Sequence, residues 1–189
     1  MDEREWVNIA LQCGAAKAAL IRGGDIVLSR EFRTICERNT CGMYDRCYMC
    51  PPSVGEIEPL MAKVRRYSIG LLYQTISRLE DSYDIEGMTE AAEYHARCTQ
   101  RVHERAKALL PDGFLHLAAG GCHLCASCAK REGQPCRFPA KALPSMESYG
   151  IDVYQLTTKT PLRYVNGQNT VTYFSLVLWK DQKNADAVD

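Results

Sequence analysis

The chain has 189 residues, of which 46% are hydrophobic, and its 23 basic residues balance its 23 acidic ones. That length suits one domain with its own core, and the neutral balance argues against the basic surface of a nucleic-acid-binding protein. No run approaches the roughly 18 consecutive apolar residues of a membrane-spanning helix, and the polar start, Met1–Trp6, is unlike a signal peptide. We therefore expect a single domain over residues 1–189 that is cytoplasmic, with neither a membrane nor a nucleic acid as partner.

Short helices and strands alternate in the first half of the chain. Apolar residues recur at helical spacing near the start, and two short apolar runs flank a Gly-Gly-Asp turn that is typical of a hairpin. The predicted elements are, in order, a helix over residues 3–12, a β-hairpin with strands at Lys17–Ile21 and Ile26–Leu28, a helix over Glu56–Tyr67 and a buried strand over Ile69–Ile76.

The second half contains the longest predicted helix, at about Thr89–Leu110, with Thr89 as its N-cap and Pro111-Asp-Gly113 as its stop. The remaining predicted elements are a strand over Phe114–Ala119, short helices over Ser145–Tyr149 and Asp152–Thr158, a strand over Thr170–Trp179 and a frayed end over Asp181–Asp189. This alternation predicts an α/β or α+β fold, in which helices flank a mixed sheet and two cysteine-rich metal-binding loops, 36–52 and 120–139, are attached.

Ten cysteines are the most distinctive feature of the composition, and eight of them fall into two groups. In a reducing compartment, cysteines at tight spacings indicate metal ligation before disulfide bonds. The second group is Cys122, Cys125 and Cys128, followed by Cys136. It reproduces the C-x2-C-x2-C run of bacterial-type iron–sulfur ligation, in which a fourth thiolate comes from further along the chain.

The first group is Cys36, Cys41, Cys47 and Cys50, and Cys50 precedes two prolines that exclude a helix or a central strand. Four thiols match the number that one four-iron cluster needs. In two-cluster ferredoxins, a cysteine that precedes proline ligates the other cluster. Cys50 is therefore an alternative ligand for the second group, with Cys136 then serving the first, and the sequence leaves both assignments open.

Zinc is the competing metal for these cysteines. Structural zinc usually takes two separated cysteine pairs, or mixtures of cysteine and histidine, whereas a run of three thiols leaves one in excess. We therefore predict that all eight cysteines bind metal as two iron–sulfur clusters of the 4Fe–4S type. His123, inside the second group, keeps zinc open as the alternative.

The remaining cysteines and histidines carry no ligand motif. Cys13 and Cys98 have no cysteine neighbours, and Cys98 lies with His95 on the apolar stripe of the longest helix. We predict that both cysteines are core residues and that His95, His103 and His116 are buried histidines with hydrogen-bond partners.

Several short motifs resemble those of one family of predicted metal-binding proteins, the domain-of-unknown-function 2284 family. These motifs are Cys41-Gly-Met-Tyr44, Cys50-Pro-Pro, Ala119-Gly-Gly-Cys122-His-Leu-Cys125-Ala-Ser-Cys128, Gly133-Gln-Pro-Cys136-Arg137-Phe-Pro139 and Pro144–Val153. The resemblance spans roughly Leu20–Val153 and implies metal binding, but it implies no reaction. Cys47 falls where the pattern of the family is loose.

Three polar residues lie in the segment that carries this resemblance. Arg137 is a candidate hydrogen-bond donor to cluster sulfur, which would raise the reduction potential of the cluster. Ser145 and Glu147 are predicted to cap and to stabilise the first turn of a short helix.

Three functions follow from the two cysteine groups. The leading hypothesis is electron transfer between redox partner proteins. The second is a redox enzyme in which three thiolates hold one cluster and leave an iron open to substrate, so that enzymatic activity depends on whether Cys47 is a ligand. The third is a zinc-stabilised protein-interaction module. The sequence leaves a homo-oligomer open.

Overall fold

A four-stranded sheet forms the centre of the computed structural model, which describes residues 2–110 and 113–181. The strands are β1 (Lys17–Arg22), β2 (Ile69–Arg78), β3 (Leu115–Leu117) and β4 (Thr170–Trp179). Their order is β1-β2-β4-β3, and each neighbouring pair is antiparallel. An isolated parallel bridge joins Ala118 to Ser145 beyond the end of β3. The predicted class, a sheet flanked by helices, is confirmed. The four-stranded sheet is antiparallel and not mixed, however, and the antiparallel strand pairs make the fold α+β.

Five α-helices lie within the described ranges. They are α1 (Glu3–Gln12), α2 (Glu31–Glu37), α3 (Ile57–Val64), α4 (Ile85–Leu109) and α5 (Val153–Thr157). Short 3₁₀ turns occur at Gly23–Asp25, Ala129–Glu132 and Glu147–Tyr149. The predicted helix over 3–12, the strand over Thr170–Trp179 and the short helices after Ser145 are thereby confirmed at or close to their predicted bounds.

The sheet is buried on both faces because successive strand residues point to opposite sides. Leu71 and Tyr73 of β2 pack with α1 and α4, in a core that also contains Cys13 and Cys98 as predicted. Leu72, between Leu71 and Tyr73, belongs to the opposite core, which the segment from Met146 to Leu162 covers. Two cores on one sheet hold β2 and β4 firmly at the centre of the molecule.

The predicted hairpin around Arg22-Gly-Gly-Asp25 is wrong. Residues Gly23–Asp25 form a 3₁₀ turn, and after it only Leu28 makes a bridge, to Ile151. Strand β1 pairs with β2 instead, along its whole length. A two-stranded hairpin is marginal in water, whereas pairing with a strand that is buried on both faces covers far more apolar surface.

The longest helix begins earlier than its periodicity predicts. Asp84 is its N-cap, with Oδ1 accepting a hydrogen bond from the Gly87 amide at 2.7 Å. Thr89, the predicted N-cap, lies inside the helix and donates its hydroxyl hydrogen to the Ile85 carbonyl at 2.8 Å. The helix ends at Leu109. Of the predicted stop only Gly113 is described, and most of the predicted frayed end, residues 182–189, also lies outside the described residues.

Candidate metal centre

The two cysteine-rich loops pack against each other on one side of the molecule. The Tyr48 hydroxyl of the first loop donates a hydrogen bond to the Gln134 carbonyl of the second at 2.9 Å. Lys130 forms an ion pair with Asp45 across the same boundary. The fold therefore brings together two groups of thiols that lie far apart in the sequence.

The two loops also approach each other at Gly121. A β-carbon at this position would lie 3.2 Å from the terminal methyl carbon of Met43 and 3.7 Å from Cys50 Sγ. The distance to Met43 is tighter than ordinary van der Waals contact, so a larger residue would require the Met43 side chain to shift. The Met43 side chain and the Cys50 thiol of the first loop therefore both lie close to Gly121 of the second.

Five thiols line one small cavity between the loops. Four belong to the second group and the fifth is Cys47 of the first: the lining thiols are Cys47, Cys122, Cys125, Cys128 and Cys136. The cavity has a volume of about 20 Å³, which is the space of one water molecule. The second group is therefore gathered as its spacing predicts, and Cys136 lies with its own loop.

The other three thiols of the first group form a second set. Cys36, in the last turn of α2, interacts electrostatically with Cys41, and both interact with Cys50. Burial raises the pKa of the Cys36 thiol above its usual range, and the nearby Arg33 guanidinium partly offsets this rise. Cys41 is exposed, so this set of three thiols is accessible to solvent at Cys41.

Cys47 joins the two sets. Its side chain is only 1% exposed, and its sulfur interacts with the thiols of both Cys122 and Cys50. The Met49 amide donates to Cys47 Sγ at 3.4 Å. These interactions stabilise a thiolate, so they hold the pKa of Cys47 far below that of an ordinary thiol. The interactions with Cys47 raise the pKa values of Cys50 and Cys122.

A buried cation lies beside the first set. Arg33 is 7% exposed, and one terminal nitrogen of its guanidinium donates to the Gly55 carbonyl at 2.8 Å. Its Nε is buried without a hydrogen-bond partner, and no ion pair is found for it among the described residues. A buried charge without a counter-charge is costly. The negative charge of metal-bound thiolates at Cys36 would compensate it. No sequence motif indicates that Arg33 is part of the candidate site.

The polar residues near the second group have mainly structural partners. Arg137 donates to the Ser127 carbonyl at 2.8 Å and to the Glu132 carboxylate at 3.1 Å, which closes the loop on itself. Its bond to cluster sulfur stays a prediction. Ser145 Oγ accepts from the Ser148 amide at 3.1 Å, although the N-cap residue of this turn is Met146. Glu147 follows in that turn, and burial raises the pKa of its carboxyl group.

The three histidines predicted to be buried have partners inside the core between α4 and the sheet. His116 Nε2 lies 2.8 Å from the Tyr73 hydroxyl, and its Nδ1 lies 3.2 Å from His103 Nδ1. His95 Nε2 lies 2.8 Å from the Ser175 hydroxyl. The fourth histidine, His123, is exposed and lines a neighbouring cleft, not the cavity of five thiols.

No group of three or more His, Cys, Asp or Glu side chains in residues 2–110 and 113–181 is arranged to hold a single metal ion. The donors present are instead soft thiols, spread over two touching loops. In the same part of the chain, no helix has the length and apolar character to cross a membrane.

Fold and site together define an α+β protein in which eight of the ten cysteines are gathered in two adjoining segments. The chain belongs to the domain-of-unknown-function 2284 family, described as a predicted metal-binding protein, whose model matches residues 19–179. The match includes all eight grouped cysteines and β4, so it extends beyond the region of resemblance predicted from the motifs. No curated protein and no solved structure matches the chain.

Proposed function

We propose that this protein binds iron as two 4Fe–4S clusters and transfers electrons between redox partner proteins. The observation that carries the proposal is the meeting of eight thiols in two touching loops, each supplying the four ligands that one cluster needs. The second cluster would be held by Cys122, Cys125, Cys128 and Cys136. The first would be held by Cys36, Cys41 and Cys50, with Cys47 as the fourth ligand.

The arrangement of the thiols supports iron–sulfur clusters over zinc. A structural zinc ion draws four donors to within about 2.3 Å of one point. The thiols here surround a cavity and do not converge on a single-ion site in the described ranges. His123, the histidine of the zinc alternative, lies outside that cavity. Four thiols in each loop, with three of those in the second at C-x2-C-x2-C spacing, are what 4Fe–4S clusters require.

Cluster binding at the second loop would also require that loop to open. A cavity of about 20 Å³ is far smaller than four irons and four sulfides. The loop can widen because Cys125, Cys128 and Cys136 are all partly exposed and no strand includes them. We expect the metal-loaded second loop to be wider, with the contact between Cys47 and Cys122 lengthened.

Electron transfer is the function that two adjacent clusters serve most directly. The contact through Cys47 places the two ligand sets side by side, and the exposed Cys41 brings the first set to the surface. A cluster close to solvent can exchange electrons with a docked redox protein, and its neighbour can pass them on.

The test is metal analysis of anaerobically purified protein. We expect brown protein with about eight irons and eight acid-labile sulfides per chain, bleached reversibly by dithionite. An electron paramagnetic resonance spectrum of the reduced protein should show two interacting spins, because the ligand sets adjoin. Colourless protein that carries zinc without sulfide would overturn the proposal and favour the zinc-stabilised interaction module.

A redox enzyme with an open iron is the second candidate, and one observation favours it. Cys47 interacts with Cys122 as well as with Cys50, and it lines the cavity of the second group. If Cys47 stays with the second group, only three thiolates remain for the first cluster, and one iron is then free to bind a substrate.

A further inference from the structure

A large cleft adjoins the second cysteine loop. Its volume is about 1260 Å³, larger than the roughly 300–1,000 Å³ of usual small-molecule pockets. The N-terminal half of α4 forms one wall, and the backbone from Ala118 to Ala126 closes one end. Cys122 and Cys125 line both this cleft and the cavity of five thiols. The cleft therefore leads directly to the second metal-ligand set.

The floor of the cleft is the edge of β4. Thr172, Tyr173 and Phe174 are consecutive, and all three line it. Successive side chains of a strand point to opposite faces, so a cleft that contacts three in a row lies along the edge of the strand. Strand β3 covers this edge only at Leu176–Leu178. Among the described residues, Thr170–Ser175 pair with β2 alone.

The backbone groups on this edge can be assigned from the neighbouring ladder. The Leu79 amide donates to the Asn169 carbonyl at 2.9 Å, so Asn169 faces β2. Antiparallel residues alternate between facing one neighbour and the other, which turns the amides and carbonyls of Thr170, Thr172 and Phe174 towards the cleft.

This edge lacks the sequence features that normally block strand addition. Sheet edges are usually protected by proline, by lysine or other charged residues, by a bulge, or by a covering helix or loop. The loop before β4 contacts this edge through side chains, with Asn166 Nδ2 donating to Thr172 Oγ1 at 3.1 Å. The segment Thr170-Val-Thr-Tyr-Phe-Ser175 has no charge and no proline, and it pairs with β2 without a break in register. Its β-branched and aromatic residues are those that favour a strand.

The surroundings of the edge decide what can occupy it. On one side the Tyr173 hydroxyl donates to the Met88 carbonyl of α4 at 3.3 Å, and on the other the Tyr164 ring stacks on Phe174 at 5.8 Å. The edge thus lies at the bottom of a cleft, where the equally recessed β4 of a second copy would be kept out. A single extended peptide fits, because five residues of strand span about 17 Å.

We infer that the cleft docks an extended, mainly apolar peptide segment of a partner protein as an added strand, paired with Thr170–Phe174. Main-chain hydrogen bonds to Thr170, Thr172 and Phe174 would align the peptide, and apolar walls on both sides would receive its alternate side chains. The apolar wall residues are Met88, Ala92, Ala96, Met146, Val153 and Tyr164. The docking of the peptide does not depend on which metal is bound. A protein without iron would therefore contradict the proposed function but not the docking of the peptide.

The test uses a displayed library of random ten-residue peptides, selected against the anaerobically purified full chain. Enriched peptides are synthesised with a fluorescein label, and their affinity is measured by anisotropy. Each is then N-methylated at one backbone position at a time. We expect a loss of about tenfold or more at every second position and little loss between, since alternate amides of an added strand face β4.

Two matched variants locate the site on the protein. Ala96 and Ala108 are both exposed alanines of α4, but only Ala96 lines the cleft. Ala96→Trp should fill the cleft and weaken the binding of the peptide about tenfold or more, while Ala108→Trp should leave the affinity unchanged. Circular dichroism and metal content check that both variants are folded.

Three results would overturn the inference. They are a library that yields no specific peptide, N-methylation losses without alternation, or equal affinity in the Ala96→Trp and Ala108→Trp variants. The second result would indicate a peptide held by side chains alone. A chain that dimerises by sedimentation, with a dimer broken by Ala96→Trp, would assign the cleft to a second copy instead.

Discussion

Replacing Cys47 with alanine separates the two candidate functions, because this thiol touches both ligand sets. With the proposed assignment, eight thiols hold two clusters, and Cys47 is the fourth ligand of the first. Its loss leaves Cys36, Cys41 and Cys50, while the four thiols of the second group are untouched. Iron and labile sulfide should each fall from about eight to about four per chain. Alanine is preferred to serine because a serine oxygen can itself bind iron.

The assay is iron and sulfide analysis of the variant, purified without oxygen, together with electron paramagnetic resonance after reduction. The interaction between spins should disappear with the first cluster. Cys13→Ala is the control, since Cys13 is buried in the core of α1 and α4 and should leave the metal content unchanged. Iron that stays at about eight in Cys47→Ala would refute the four-thiolate assignment of the first cluster and leave the open-iron enzyme as the better account.

Three further predictions follow from buried polar groups. Arg33→Met removes a buried charge, so it should raise the free energy of unfolding of the metal-free protein by about 1 kcal/mol in urea titrations. In the metal-loaded protein the same variant should lose iron to a chelator faster than the natural protein does. Slower iron loss would contradict the role of Arg33 as a counter-charge. Burial lowers the pKa of His95 to about 4, so its stabilising effect is full above pH 6.5 and declines as pH falls towards 4. Between pH 7 and pH 5 the natural protein should therefore lose about 2 kcal/mol more than His95→Gln in urea unfolding, and parallel losses would refute this. Gln74 is fully buried with both amide atoms unpaired, so Gln74→Leu should raise the unfolding free energy by about 1 kcal/mol; a destabilised variant would show that the amide has a partner.

The sequence predicts well those structural features that depend on patterns over a few neighbouring residues. Strand β4 was predicted at its observed bounds because ten consecutive residues favour a strand, and the spacing of thiols located all eight grouped cysteines. The hairpin failed because the partner of β1 is β2, which lies far along the chain and offers a larger apolar surface. Helix α2 was missed because its sequence has no apolar stripe, and the residue it buries is Arg33.

The parts of the candidate site that pattern did not predict are contacts between loops. The position of Cys47 between Cys50 and Cys122 depends on how the two loops pack together, which no spacing rule describes. The free edge of β4 likewise cannot be predicted from the sequence, because it results from β3 being short and pairing only with Leu176–Leu178 of β4. The sequence therefore identifies the eight candidate cysteines, and tertiary structure determines how they are grouped.

Taken together, the proposed clusters and the proposed peptide docking predict an order of electron transfer. Cys122 and Cys125 line the cleft, so a peptide segment paired with β4 would bring its protein next to the second cluster. The proposed first cluster would lie further on, across the Cys47 contact, where Cys41 is exposed to solvent. A docked partner would then exchange electrons with the second cluster, and the first would connect with a different acceptor. Because a bound peptide excludes water near Cys122 and Cys125, it should shift the reduction potential of the second cluster more than that of the first. Potentiometric titrations with and without the peptide measure this, and equal shifts at both clusters would refute the order.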